Sequence, residues 1–270
     1  MPEDLKTEQF EHGQLRWREL GEGAPLVLLH GWSMSHAVFT ELAELLAPNF
    51  RLLIPDLPGH GGSDPVDPCS LFMMSKTLAT WLNRLALGPV LLLGWSLGGQ
   101  VAIQLSVDYP QLVERLLLMS STPRFCASDN WAAGLPVNEL RALRRGLVRH
   151  YLATMGEFFD LQFRGEAISP ERRREILQFA VRPIGLPTPD AALLTLDILG
   201  REDLRDRLSS IQAPALVIHG QNDQIIPQSA GVYLTEHLPR ASFISLSGIG
   251  HAPFLSRPGE IVRMIEEFCR

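Results

Sequence analysis

The sequence predicts an α/β fold: a mostly parallel central sheet with helices on both faces and a helical lid inserted into it. Three observations carry this prediction. Short apolar runs alternate with segments of helical periodicity, as strands joined by crossover helices do. Several of these runs stop at glycine-rich turns. The alternation breaks off at residue 121 and resumes near 207.

The elements follow in order. "KTEQFEHGQLRWREL" alternates in part and reads as an antiparallel strand pair. "PLVLLHG" (25–31) is a short apolar run ending in His-Gly, the pattern of a strand buried on both faces. "HAVFTELAELLA" (36–47) has helical periodicity. "RLLIPDLPGHG" (51–61) is a buried strand running into a Gly/Pro loop. "LFMMSKTLATWLNRLAL" (71–87) is a helix that stops near Gly88-Pro89, and "PVLLLG" (89–94) is a strand. "GGQVAIQLSVDYP" (98–110) is a helix closed by Pro110, and "VERLLLMS" (113–120) is a strand. The rhythm returns with strand "APALVIHG" (213–220), a helix over 228–238, strand "ASFISLSGIG" (241–250) and a last helix "GEIVRMIEEFC" (259–269). One crossover needs only about a dozen residues. The far longer stretch between the strands ending at 120 and starting at 213 is therefore an insertion over the sheet. The expected division is a core of residues 1–120 and 207–270 and a helical lid of 121–206.

The 270 residues are 46% hydrophobic, enough for one large core. A net charge of −6 argues against nucleic acid as a partner. Cys69, Cys126 and Cys269 suit neither a disulfide framework nor a zinc site and read as free thiols in a reducing compartment. The opening "MPEDLKTEQFEHG" is acidic and lacks the apolar stretch of a secretory signal. No run of about 18 apolar residues occurs. A cytoplasmic protein without membrane contact is the expectation. "GEG" (21–23) and "GIG" (248–250) are too short for a dinucleotide fingerprint, and with no phosphate loop or metal cluster no cofactor is expected.

The most informative stretch is "LLLGWSLGGQ" (91–100), where Gly94 and Gly98 bracket Ser96 between a strand and a helix. Gly-x-Ser-x-Gly in that setting is a nucleophile elbow. Without Cβ atoms at 94 and 98, helped by Gly99, strand and helix approach closely. The sharp turn lifts the Ser96 hydroxyl to the carboxyl edge of the sheet and aims the Leu97 N–H into the same space. A serine hydroxyl is a weak nucleophile and needs a base. The elbow predicts the chain order Ser, acid, His. His251, in "SGIGHAPF" just after the final strand, is the base candidate. His219 ends a strand and packs, His30 belongs to the His-Gly loop and His60 to the Pro/Gly loop; His12, His36, His150 and His237 lack a carboxyl-edge setting. Asp223 follows Gly220 by three residues in "VIHGQNDQIIP" and would orient the imidazole. Asp197 and Asp203, in the insertion, are weaker rivals, and Asp56 in "DLPGHGGSD" reads as structural. The second oxyanion donor, beside the Leu97 N–H, is expected from the loop "HGWSMS", as the Trp32 N–H.

His30-Gly31-Trp32, "DLPGHGGSD", "GWSLGG", "HGQNDQIIP" and "GHAPF" together resemble the α/β-hydrolase superfamily over nearly the whole chain. The spelling "GWSLGG" with "HGW" and "HAPF" is similar to that of the pimeloyl-[acyl-carrier protein] methyl ester esterases of biotin synthesis. So are the insertion stretches "SSTPRFCASDNW" (120–131), "FFDLQ" (158–162) and "LDILGREDLRDRL" (196–208). This resemblance implies an α/β-hydrolase fold and a cytoplasmic monomer. It also implies cleavage of a methyl ester at the far end of a pimeloyl chain carried on acyl carrier protein. It matches Ser96, Asp223 and His251 to the family triad. It matches Trp32, Leu97 and the stretch Phe158, Phe159, Asp160, Leu161, Gln162 to positions associated with substrate binding.

Between 141 and 182 stand nine arginines and five acids, a local excess of +4 in a chain of −6. Such asymmetry steers an acidic partner toward the site; Arg172, Arg173 and Arg174 are the docking candidates, the alternative being a solvated helix face with internal ion pairs. Phe158, Phe159, Leu161 and Phe163 either wall an acyl tunnel or pack the insertion onto itself. Three functions remain open: a carrier-linked methyl esterase, a carboxylesterase of short free esters, and a non-catalytic ligand receptor. Turnover separates the last from the first two, and substrate preference separates those.

Overall fold

The runs with the most continuous apolar sequence lie in the middle of the sheet. In the computed structural model, which describes residues 5–11, 13–180 and 185–270, eight strands form one sheet. They are β1 (Leu5–Phe10), β2 (Gly13–Leu20), β3 (Ala24–Leu29), β4 (Phe50–Pro55), β5 (Val90–Trp95), β6 (Val113–Met119), β7 (Ala215–Gly220) and β8 (Ala241–Leu246). Their order is β1-β2-β4-β3-β5-β6-β7-β8. β1, β2 and β4 pair antiparallel, and every later pairing is parallel. β5 and β7 are buried at every position, whereas edge strand β8 is buried only at Leu246. His12 and Arg182 lie outside the described residues.

Period-two alternation sorts the strand side chains into two cores. Val27, Leu29, Leu92, Leu116, Leu118 and Val217 face one. α2 (Leu71–Leu85), α3 (Leu97–Asp108) and α7 (Gln228–His237) cover it. Leu26, Leu28, Leu93, Trp95, Leu117 and Ile218 face the other, under α1 (Thr40–Leu46), α8 (Pro253–Ser256) and α9 (Pro258–Cys269). α2 starts where Ser70 Oγ accepts the Met73 N–H at 3.2 Å and stops at Ala86, in the left-handed region with φ 51°.

Three expectations change in detail. The helix expected over 36–47 is a 3-10 turn at His36–Phe39 followed by α1, because the Ser35 side chain caps Ala37 and starts a tight turn first. The strand expected to reach 250 stops at Leu246, where the chain turns toward the site. The insertion does not begin as helix. Residues 120–136 are irregular, held by short bridges such as Arg124 with Asp203 and Cys126 with Leu135. α4 (Val137–Leu161), α5 (Pro170–Ala180) and α6 (Pro189–Arg201) then precede β7. α4 is sharply kinked at His150, whose φ and ψ of −145° and 56° leave the helical region. A Cβ on Gly146 would stand 2.6 Å from Thr154 Oγ1. Eight residues of straight helix would separate those two by about 12 Å, so α4 folds back on itself as two arms.

A buried histidine pair sits beneath the loop that follows β3. His30 Nε2 accepts the Leu57 N–H at 2.9 Å, so its proton is on Nδ1, donated to the Gly31 carbonyl at 2.8 Å. His60 stacks edge-on against His30 at 5.3 Å, and its Nε2 is buried without a hydrogen-bond partner. Burial pulls His30 down from 6.5 to about 4 and His60 to about 3. Between 6.5 and those values the unfolded chain binds protons that the folded chain does not. The stabilisation is therefore complete above about pH 6.5 and is lost as pH falls through the folded values, by roughly 1.4 kcal/mol per pH unit for each histidine. Asp56 and Asp223, held below the usual range, act in the same direction but only below about pH 4, whereas Glu166, pushed up by burial, acts in the opposite direction. Urea midpoints should therefore fall steadily from pH 7 to 4.5, and His60→Asn should flatten that slope; an unchanged slope would remove His60 from the account.

Candidate active site

Ser96 follows β5 and precedes α3 at φ 55° and ψ −118°, a region that an L-residue occupies at a cost of about 1–3 kcal/mol. The expected close approach is present. A Cβ on Gly98 would lie 2.1 Å from the Leu29 carbonyl oxygen, and one on Gly94 would lie 2.4 Å from the Gly98 oxygen. Ser96 N–H is tied to Met119 O at 3.0 Å, and Ser121 Oγ donates to Ser96 O at 3.0 Å. The turn is thus held from β6 as well. Leu97 is the first residue of α3, so its N–H precedes any intrahelical acceptor and stays available.

The sheet order reverses between β3 and β5, leaving a crevice at their carboxyl ends. The loop after β3 enters it. Trp32 stands in a turn closed by Met34 N–H to Gly31 O at 3.2 Å. Its indole N–H is held from the insertion, by Ala192 O at 3.1 Å and Thr195 Oγ1 at 3.0 Å, both on α6. Phe158 meets the indole edge-on at 4.8 Å. Thr195 carried no motif in the sequence; its role follows from the tertiary position of α6.

The structure brings Asp223 and His251 together: Nδ1 to Oδ2 is 2.7 Å, and both residues are buried. Asp223 Oδ1 accepts the N–H groups of Ile225 and Ile226 at 2.9 Å each. His219 Nε2 lies 3.2 Å from Oδ2 and 2.9 Å from Ile226 O, so this histidine packs, as expected, but also supports the acid. Burial opposes ionisation of Asp223. It is outweighed by the charge His251 can carry and by hydrogen bonds from His219 and His251, which hold the carboxyl well below the usual range. Trp95, next to Ser96 in the chain, donates its indole N–H to His251 O at 2.8 Å. This bond ties the histidine loop to the strand that ends in the elbow.

The rival acids are occupied elsewhere. Asp197 pairs with Arg144 at 3.2 Å on the surface, and Asp203 pairs with Arg124 and Arg205. Asp56 is fully buried and accepts from His36 N and Nδ1, Gly62 N and Arg16. His36 needs correction, since it stands after β3 at the carboxyl edge and holds Asp56 at 2.8 Å. Its chain position within an expected helix concealed this.

The stretch 158–162 divides. Phe158 and Leu161 line a cavity of about 300 Å³ between the two arms of α4, which Leu143, Thr154 and Ile225 also line. Phe159 and Phe163 are buried against each other at 5.5 Å and belong to the second core, so neither lines this cavity. Asp160 faces outward and pairs with Arg173. Gln162 is buried with both amide atoms unpartnered. In the arginine triplet expected to dock a partner, each side chain already has a carboxylate. Arg172 clamps Glu41 and Leu255 O, Arg173 takes Asp160, and Arg174 takes Glu171. By contrast, the exposed Arg141, Arg145 and Arg149 have no carboxylate in ion-pair reach among the described residues. With Arg144 and Val148 they surround a hollow of about 380 Å³.

Residues 24–258 match the family model described as the alpha/beta hydrolase fold. The chain is 39% identical to the pimeloyl-[acyl-carrier protein] methyl ester esterase of Nitrosomonas europaea, covering 90% of this chain and 94% of that one. It is 34% identical to the protein of the same name from Nitrosospira multiformis, over 93% and 96%. Among solved structures it is similar to an esterase from Exiguobacterium antarcticum, with a TM-score of 0.89 at 22% identity over 97% of both chains. A thermophilic esterase from Thermogutta terrifontis superposes with a TM-score of 0.83 at 25% identity over 98% of both.

The geometry separates the arginines by effect. Arg172→Ala removes charged hydrogen bonds across a half-buried seam and should cost about 1–3 kcal/mol. Arg174→Ala breaks only an exposed pair and should leave stability unchanged. Urea melts of the two variants check this; equal midpoints would mean the Arg172 clamp contributes nothing.

Proposed function

The chain belongs to the α/β-hydrolase fold family and is a carboxylic ester hydrolase; we propose that it is a cytoplasmic, monomeric serine esterase that cleaves the methyl ester of pimeloyl-[acyl-carrier protein]. The observation that carries the substrate is the 39% identity over 90% of the chain to a relative of that name. The chemistry is supported by the elbow at Ser96 and the 2.7 Å contact of His251 with Asp223.

In this reading Ser96 Oγ attacks the ester carbonyl while His251 Nε2 takes its proton. The negative oxygen is met by the N–H groups of Leu97 and Trp32. His251 returns the proton to the leaving methoxide, and methanol departs. Water, deprotonated by the same histidine, hydrolyses the acyl-enzyme and frees the carboxylate and Ser96. Asp223 keeps the imidazole proton on Nδ1 and stabilises the imidazolium. No helix among the described residues is long and apolar enough to cross a membrane.

Residues 121–206 act as the lid. The cavity bounded by Phe158 and Leu161 offers apolar walls to an acyl chain, and Phe158 connects it to Trp32 in the loop after β3. Arg141, Arg145 and Arg149 of α4, without a carboxylate partner among the described residues, offer an acidic carrier a docking face, and Arg172, Arg173 and Arg174 would have to exchange their present carboxylates to join it.

Ser96→Ala should lower kcat by roughly 10⁴- to 10⁶-fold with the fold retained, and a fluorophosphonate should label Ser96. Labelling of another serine in a still-active Ser96→Ala enzyme would overturn the mechanism. For the substrate, the carrier-linked methyl ester is compared with a short neutral ester. Screening shortens from about 8 Å at physiological salt to about 3 Å at 1 M. High salt, or charge reversal at Arg141, Arg145 and Arg149, should lower kcat/KM for the carrier ester alone. Equal effects on both esters would favour a free-ester carboxylesterase.

A further inference from the structure

The turn that leaves α4, residues 162–166, is bonded to both loops of the acid–base pair. The Gln162 carbonyl accepts the His251 N–H at 2.9 Å. Glu166 accepts the Gly250 N–H through Oε1 and the Ser256 hydroxyl through Oε2, each at 2.5 Å. The Gly165 carbonyl accepts from Asn222 Nδ2 at 2.7 Å, and Asn222 N–H reaches across to Ile249 O at 2.8 Å. Three residues of this turn, Gln162, Gly165 and Glu166, therefore grip Asn222, beside the acid, and Gly250 and His251 in the loop of the base.

The fit is close. A Cβ on Gly250 would stand 2.6 Å from the Gln162 carbonyl oxygen and 2.7 Å from Glu166 Oε1. Glycine is what lets the insertion reach the backbone here, but glycine also leaves the residue before His251 with the most permissive backbone of any. An external anchor is needed where the local chain supplies no stiffness. A carboxylate that receives two donors at once forms strong, directional bonds.

We propose that Glu166 is a positioning residue of the esterase: by holding Gly250 N–H and the Ser256 hydroxyl together, it sets where the His251 imidazole stands over the elbow. The inference rests on the reading of His251 as the base. Glu166 touches no reacting atom and acts through the loop. A base displaced by about 1 Å loses on the order of 100-fold in rate, so the anchor acts on turnover rather than on substrate affinity.

Three variants assayed on a short neutral ester test this, with folded fraction followed by circular dichroism. Glu166→Ala removes both contacts; kcat should fall roughly 10- to 100-fold while KM stays within about 2-fold. Glu166→Gln keeps an acceptor for Gly250 and gives Ser256 a donor, so kcat should stay within about 3-fold of wild type. Ser96→Ala is run alongside. If it retained activity, the serine-esterase reading would fail whatever Glu166 does. With Ser96→Ala inactive, three results would each overturn the proposal: unchanged kcat in Glu166→Ala, a loss matching the unfolded fraction, or Glu166→Gln as damaging as Glu166→Ala.

Discussion

The approach of α3 to the ends of β3 and β5 is the constraint on which the rest depends. Backbone lies against backbone at Gly98 and Leu29, and at Gly94 and Gly98, with no room for a single side-chain carbon. That contact forces the chain to reverse within one residue, and Ser96 takes up the reversal at positive φ. Strain of this kind persists only where the surroundings over-determine the conformation. Here hydrogen bonds from Ser96 N–H to Met119 and from Ser121 to Ser96 O supply that, with parallel pairing of β5 to β3 and β6 on either side. The serine is held at the carboxyl end of β5, buried, by contacts that leave the turn no room to relax.

The insertion is part of the site's construction rather than a cover laid over it. α6 holds the Trp32 indole, α4 packs Phe158 against the same ring, and the turn after α4 grips the histidine loop. Arg172 of α5 ties the other side down through Glu41 and the Leu255 carbonyl. The folded-back arms of α4 wall the cavity that Phe158 and Leu161 line, and Phe158 joins that wall to Trp32. The residues that hold the insertion to the sheet thus also shape the space beside the elbow.

Burial of polar groups sets the working conditions. His30, His60, Asp56 and Asp223 are all removed from water near the crevice. The two carboxylates are satisfied several times over, so each remains an anion. The two histidines are neutral, because His30 must accept from Leu57 and His60 has no partner for a second proton. One neighbourhood therefore keeps acids ionised and bases uncharged, by hydrogen bonding in the first case and by desolvation in the second.

The order of strands and helices was legible in the sequence, since short apolar runs bounded by Gly and Pro read as buried strands and the glycines beside Ser96 fit a tight turn between strand and helix. Chain order pointed to Asp223 and His251 because each follows a strand at the edge where the elbow stands. Local pattern could not show which arginines were free. Arg172, Arg173 and Arg174 look like a basic patch until their carboxylates at Glu41, Asp160 and Glu171 come near, two of them from outside α5. It could not separate Phe158 from Phe159 either, because the fold-back of α4 at His150 makes a cavity on the face that carries Phe158, while Phe159, one residue on, enters the second core. Nor could it mark Thr195 or Glu166, whose partners lie more than eighty residues away in the chain. Periodicity and motif spacing record contacts close in sequence; charge partners and loop anchors are fixed only when distant segments meet.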